Sequence, residues 1–280
     1  MPISSANSCE FDVISQIERR LELENLYPST PITRFELSAN FPKKVTTFDE
    51  IESFAEKLRA CWKLGLAPIH NLIDAFESHG VRVFIVDSEE EHFDGLSTVI
   101  NDHPIIVIGS RWPGDRQRFS LAHELAHYIV ANRLSSAIDE EQACNRFAGA
   151  FLFPKEAVLQ VIGTQRHAIE WPELCLIKEE FQISMGAICH RIKDLGIIQD
   201  SYYNKLVNSF RRKGWNRTEP GPGIPPEKTH AFDQMLFHAL GEGYIGEPKA
   251  AELLACSLDH LKGLLQVHNY DFIIRPRRIQ

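Results

Sequence analysis

Apolar positions recur at helical spacing from Thr47 onward. Ile51, Phe54, Ala55, Leu58 and Cys61 share one face, which predicts a helix to about Trp62 capped by Asp49. Pro68 opens a second helical stretch, Ile69 to Ser78, ended by His79-Gly80. The period then changes. VRVFIVD, Val81 to Asp87, is rich in β-branched and aromatic residues and reads as a buried strand. GLSTVINDHPIIVIGS reads as a hairpin: Leu96 to Ile100, a turn of Asn101, Asp102, His103 and Pro104, then Ile105 to Ile108. Helical spacing returns after Pro113-Gly114. Asp115 is a candidate cap for a helix to about Asn132. A further helix spans about Asp139 to Leu152 and stops at Pro154.

Two shorter patterns, Trp171 to Phe181 and Ser184 to Leu195, form a helix-turn-helix-like pair ended by Gly196, and Tyr202 to Lys213 is helical with a basic end. TEPGPGIPPE, Thr218 to Glu227, has the prolines and glycines of a linker. The expected class is α+β: a small, mostly antiparallel sheet, a helix carrying a metal motif, and helical segments behind it. The chain divides into an N-terminal arm (1–46), a central domain (47–162), a helix-turn-helix-like domain (163–217), the linker (218–227) and a small C-terminal helical domain (228–280). In the arm, the helical signal is a short charged pattern, IERRLELENL, before a Pro-punctuated segment.

Charge narrows the functional classes. The net charge of −8 is uneven: residues 1–110 carry 9 basic and 18 acidic groups, and residues 201–280 carry 11 and 8. The acidic front is a poor match for phosphate neutralisation. Arg211, Arg212, Lys213, Arg275, Arg277 and Arg278 give the last third its positive balance. No apolar run is long enough for a membrane helix, and the start, MPISSANSCEFDVISQIERR, has no signal-peptide pattern. Six scattered cysteines, Cys9, Cys61, Cys144, Cys175, Cys189 and Cys256, suggest reduced thiols and a cytoplasmic location. Cys256, His260 and His268 match no compact zinc spacing.

The chemistry concentrates in FSLAHELAHYIV. His123 and His127 are four residues apart, on one helix face, where both reach one tetrahedral zinc. Glu124 projects beside the metal, placed to accept a proton from an attacking water. A catalytic zinc needs a third protein ligand. A turn around Leu134 to Ser136 would fold the next helix back and bring Glu140 or Glu141 within reach. Glu141 is preferred, because Asn145 lies four residues on, placed to orient a ligand. The alternative is that Asp139, Glu140 and Glu141 are simply favourable charges at a helix start. His103 and Tyr128 are the candidates for oxyanion stabilisation.

GDRQRFSLAHELAHYIV followed by EEQACNRFAGAFLFP resembles the ImmA/IrrE family of zinc metallo-endopeptidases, in the pattern RFTLAHELGH and then E-x-x-x-N-x-F-A-x-x-L-L-M-P. The likeness extends over Thr47 to about Leu265. It implies a zincin-like fold with His123, His127 and Glu141 as zinc ligands, in the gluzincin manner, and Glu124 as the catalytic base. Ala126, Cys144 and FLFP depart from the pattern without changing size or polarity much. The first 45 residues do not spell the repressor-type helix-turn-helix of longer relatives. The resemblance implies cleavage of a helix-turn-helix repressor of a mobile element or stress response, relieving repression, with DNA met indirectly. The alternative reading is a regulator or toxin–antitoxin-type component that acts by binding. Its candidate reader, Trp171 to Leu195, carries a net charge of −1, which favours protein recognition or a structural role over groove reading; PKAAELLACSLDHLKGLL, with Ser257 as a cap, is a second candidate.

Overall fold

A computed structural model describes residues 5–28, 33–87 and 93–266. The chain forms two compact units: Met1–Glu10 with Thr33–Thr229, and Phe11–Ile32 with His230–Gln280. In the first, β1 (Arg82–Val86), β2 (Gly95–Ile100) and β3 (His103–Gly109) form a sheet in the order β1-β3-β2. β3 is central and buried along almost its whole length, as a strand flanked on both sides must be. The class is α+β as the sequence pattern implied. The sheet is mixed, however, rather than mostly antiparallel. β1 runs parallel to β3 (Arg82 opposite Ile105), and only β2 pairs with β3 antiparallel (Ile100 opposite His103). β3 lies between β1 and β2 in the sheet although it follows both in the chain. The hairpin turn contains two residues, Asn101 and Asp102, with φ of 51° and 63°. That is the left-handed pair a tight hairpin requires, and Asn and Asp tolerate it.

The helices follow the pattern with shifted ends. α2 (Phe48–Cys61) is capped by Thr47 rather than Asp49: the Thr47 side chain accepts from the Glu50 amide, and Glu50 returns a bond to the cap backbone. α3 (Leu72–Ser78) begins at the Asn71 cap, three residues later than Pro68 suggested. α4 (Gly114–Ile129) starts before Asp115, which lies in the first turn and pairs with Lys178 at 2.8 Å. α5 (Glu140–Leu152) has Asp139 as its cap. Between α4 and α5 the turn is held by Val45, whose amide donates to Arg133 O and whose carbonyl accepts from the Ser135 amide, both at 2.8 Å. α5 packs on α4 and α2. Its inner face, Cys144, Phe147, Ala148 and Phe151, is fully buried, and Phe147 and Phe151 stack 5.6 Å apart. This apolar backing fixes the helix whose outer face carries Glu140, Glu141 and Asn145. A short helix, α6 (Lys155–Val161), was not foreseen.

The helix-turn-helix-like segment is α7 (Trp171–Phe181) and α8 (Met185–Asp194), followed by α9 (Asp200–Lys213). α8 buries Met185, Ile188, Cys189 and Ile192 and packs on α5. Arg191, fully buried, forks onto Glu52 and donates to Phe153 O at 2.9 Å.

Thr218 to Glu227 is not free, although its composition reads as a linker. Proline removes backbone donors, but two glutamates supply acceptors. Glu219 receives the Met185 and Gly186 amides at the start of α8 (2.8 and 3.0 Å) and the Lys178 ammonium at 2.8 Å. Glu227 receives the Leu72 and Ile73 amides at the start of α3 (2.8 and 2.9 Å) and pairs with buried Arg118 of α4. The Gly114 amide donates to Ile224 O at 2.9 Å. A Cβ on Gly114 would lie 2.1 Å from Pro225 O, so only glycine lets this segment approach.

In the second unit, which includes α1 (Ser5–Asn25) from Phe11 onward, that helix is far longer than the pattern IERRLELENL suggested. α10 (Ala231–Gly241), α11 (Glu247–Leu253) and α12 (Leu258–Gln266) bury Leu236, Ala250, Leu253 and Leu261 together with Leu23 of α1. Ser257 accepts from the His260 amide at 3.2 Å, as a cap for α12. Arg275, Arg277, Arg278 and His268 lie outside the described residues. Among the described residues no helix is long and apolar enough to cross a membrane.

Candidate metal centre

Residues of α4 four apart present two imidazoles to the same side, with ring centroids 4.8 Å apart. Their Nε2 atoms are 3.1 Å from one another. The α4–α5 turn brings Glu141 across them: one carboxylate oxygen lies 3.4 Å from His123 Nε2 and the other 3.4 Å from His127 Nε2. A tetrahedral zinc with bonds of roughly 2.0–2.1 Å separates its ligand atoms by about 3.3–3.4 Å. The observed contacts are close to that spacing, with the Glu141 carboxylate reaching each imidazole through a different oxygen. Among the described residues this is the one His/Cys/Asp/Glu group compact enough for a metal.

Hydrogen bonding decides what the nitrogens offer. His123 Nδ1 donates to Asn145 Oδ1 at 3.1 Å, and His127 Nδ1 donates to Glu140 Oε1 at 2.8 Å. With both Nδ1 atoms acting as donors, both Nε2 atoms of the neutral rings carry lone pairs. Two lone pairs and a carboxylate that converge within 3.1–3.4 Å repel one another unless a cation lies between them. The donor set thus fits a divalent metal with nitrogen and oxygen preference. Asn145 meets His123, not Glu141. Glu140 sits on the far side of the His127 ring. Sequence reasoning weighed Glu140 only as a rival ligand or a helix-start charge; its position immediately before Glu141, at the start of a helix folded onto α4, was the available signal.

Glu124 lies against the start of β2. A Cβ on Gly95, at the start of β2, would lie 3.3 Å from Glu124 Cγ, so the missing side chain there leaves room for the glutamate. β2 is an edge strand with Leu96 and Val99 exposed, and among the described residues nothing pairs with its outer side. Cys144 lies beneath the acidic groups. Burial, reinforced by Glu140, Glu141 and Glu124, pushes its thiol up to about 12, and it is not part of the group that could hold a metal. Tyr128 packs edge-on against Phe35 at 5.2 Å, and burial, with Asp102 nearby, raises its phenol.

Residues 76–193 match the family model described as the IrrE N-terminal-like domain, Peptidase_M78. A search of curated proteins finds no match. Among solved structures the chain is similar to a Mycobacterium tuberculosis transcriptional regulator, at 18% identity and a TM-score of 0.35, over 51% of this chain and 46% of that one. The M78 match contains α4, α5 and the whole group His123, Glu124, His127 and Glu141. The match supports assigning this domain, residues 76–193, to the IrrE N-terminal-like Peptidase_M78 family.

Proposed function

We propose that the protein is a cytoplasmic zinc-dependent endopeptidase that cleaves a partner protein, a helix-turn-helix repressor, and so relieves repression. The observation that carries the reading is the convergence of His123 Nε2, His127 Nε2 and the Glu141 carboxylate at 3.1–3.4 Å. His123, His127 and Glu141 would hold the metal. Zinc supplies Lewis acidity for a scissile carbonyl and acidifies water. The chain supplies the rest. Glu124 accepts the proton of the attacking water and delivers it to the leaving amine. The open outer edge of β2, beside Glu124, can take an extended peptide as an additional strand, with Leu96 and Val99 as apolar contacts. A folded repressor would offer such a peptide in a loop or linker.

The regulator-by-binding reading is weaker at α7–α8. A groove-reading helix needs its first turn free for phosphate or bases. Here Glu219 occupies the start of α8 and places negative charge there. The test is to incubate the purified, zinc-loaded protein with the repressor encoded beside it and map fragments by mass spectrometry. A single zinc-dependent cut supports the reading. An intact repressor, together with salt-sensitive binding to upstream DNA, would replace it with the regulator.

A further inference from the structure

The first turn of α5 addresses both nitrogens of one ring. Glu141 approaches His127 Nε2 at 3.4 Å, and its neighbour Glu140 accepts from Nδ1 at 2.8 Å. His123 is treated differently: its Nδ1 meets the neutral oxygen of Asn145 at 3.1 Å. The two imidazoles therefore have unequal partners, one anionic and one neutral. A carboxylate behind an imidazole fixes its tautomer and strengthens the opposite nitrogen as a donor more than an amide does.

The geometry points to Glu140 as a positioning residue, which acts through His127 and never on substrate. It holds His127 in the Nδ1–H tautomer with Nε2 turned to the metal. The inference rests on the metal-site reading above and deepens it. Glu140 can do this because its backbone is fixed independently: the Asp139 side chain caps α5 through the Gln142 amide at 2.8 Å. Its side chain is half exposed at 53%. Removing the carboxylate thus leaves the fold intact while freeing the ring.

The test compares wild type, Glu140→Ala and Glu140→Gln in two measurements. The first is the tautomer of His127 in the metal-free protein, read by nitrogen NMR on labelled histidine at a pH where the ring is neutral. The second is zinc affinity, by competition with a chromophoric chelator. Wild type holds the Nδ1–H form of His127. Glu140→Ala loses that preference and binds zinc roughly ten-fold or more weakly. Glu140→Gln, which keeps an oxygen acceptor, retains the tautomer and loses less affinity. His123 is unchanged in all three. Equal tautomer populations and equal zinc affinity in wild type and Glu140→Ala would overturn the inference. If wild type binds no zinc, the metal reading fails, and the tautomer measurement on the metal-free protein still decides the role of Glu140.

Discussion

Replacing Glu227 with Ala separates a structural strap from a linker. Its carboxylate, 10% exposed, has three partners: the amides of Leu72 and Ile73 and the Arg118 guanidinium, whose side chain is 1% exposed. Burial lowers the Arg118 pKa, and Glu227 opposes that by stabilising the cation. Without Glu227, Arg118 keeps one bond, from Nη2 to Ile69 O at 2.7 Å, and remains a buried charge without a counter-ion. Removing one partner of a buried ion pair costs about 3–5 kcal/mol. The loss of a helix-start acceptor for α3, about 1 kcal/mol by itself, falls within that range because the sites share one carboxylate. For a unit of this size the unfolding midpoint should fall by ~6–20 °C. Glu227→Gln, which still accepts from the amides, should lose less. The assay is urea and thermal denaturation of the whole chain, followed at the tryptophans. A loss below about 0.5 kcal/mol, as for an ordinary surface change, would refute the strap.

Two other expectations follow from packing. Gly114→Ala raises helix propensity by about 1 kcal/mol in an open helix, but here its Cβ would meet Pro225 O at 2.1 Å. It should therefore destabilise by about 1–3 kcal/mol in the same denaturation assay, and a gain in stability would contradict the contact. Cys144 and Cys189 are buried, and burial pushes both thiols up to about 12. In the native protein at pH 8, iodoacetamide should modify exposed Cys61 and leave both of these until denaturant is added, as read by mass spectrometry; early labelling of Cys144 would contradict its place in the core.

Local features were legible in the chain, and long-range partners were not. The hairpin, α4, α5 and the pair α7–α8 follow from periodicity and punctuation. The cap of α2 was also written locally, as Thr47 followed three residues later by Glu50, although Asp49 is an equally good cap by composition. The clustering of His123, His127 and Glu141 was legible because the i, i+4 histidines fix two of its members and the short turn leaves few positions for a third. The strap was not. Its proline and glycine content says only that it joins no ladder. The partners of Glu219 and Glu227 lie at 178 and 185–186, and at 72–73 and 118, and nothing in the local sequence marks those pairings. Parallel pairing of β1 with β3 was hidden for the same reason: a strand's partner depends on how the chain crosses, not on its own alternation. The role of Glu140 needed the orientation of an imidazole, which no spacing rule supplies.

The central claim is that His123, His127 and Glu141 hold a catalytic metal beside Glu124. Its most direct test is one experiment on wild type and Glu124→Gln: zinc content per chain, and cleavage of the proposed substrate, a helix-turn-helix repressor, under single-turnover conditions. The account predicts about one zinc in each protein, with cleavage slowed by about 10²–10⁴ in the variant. Undiminished cleavage by Glu124→Gln, or cleavage by wild type stripped of metal, would contradict it.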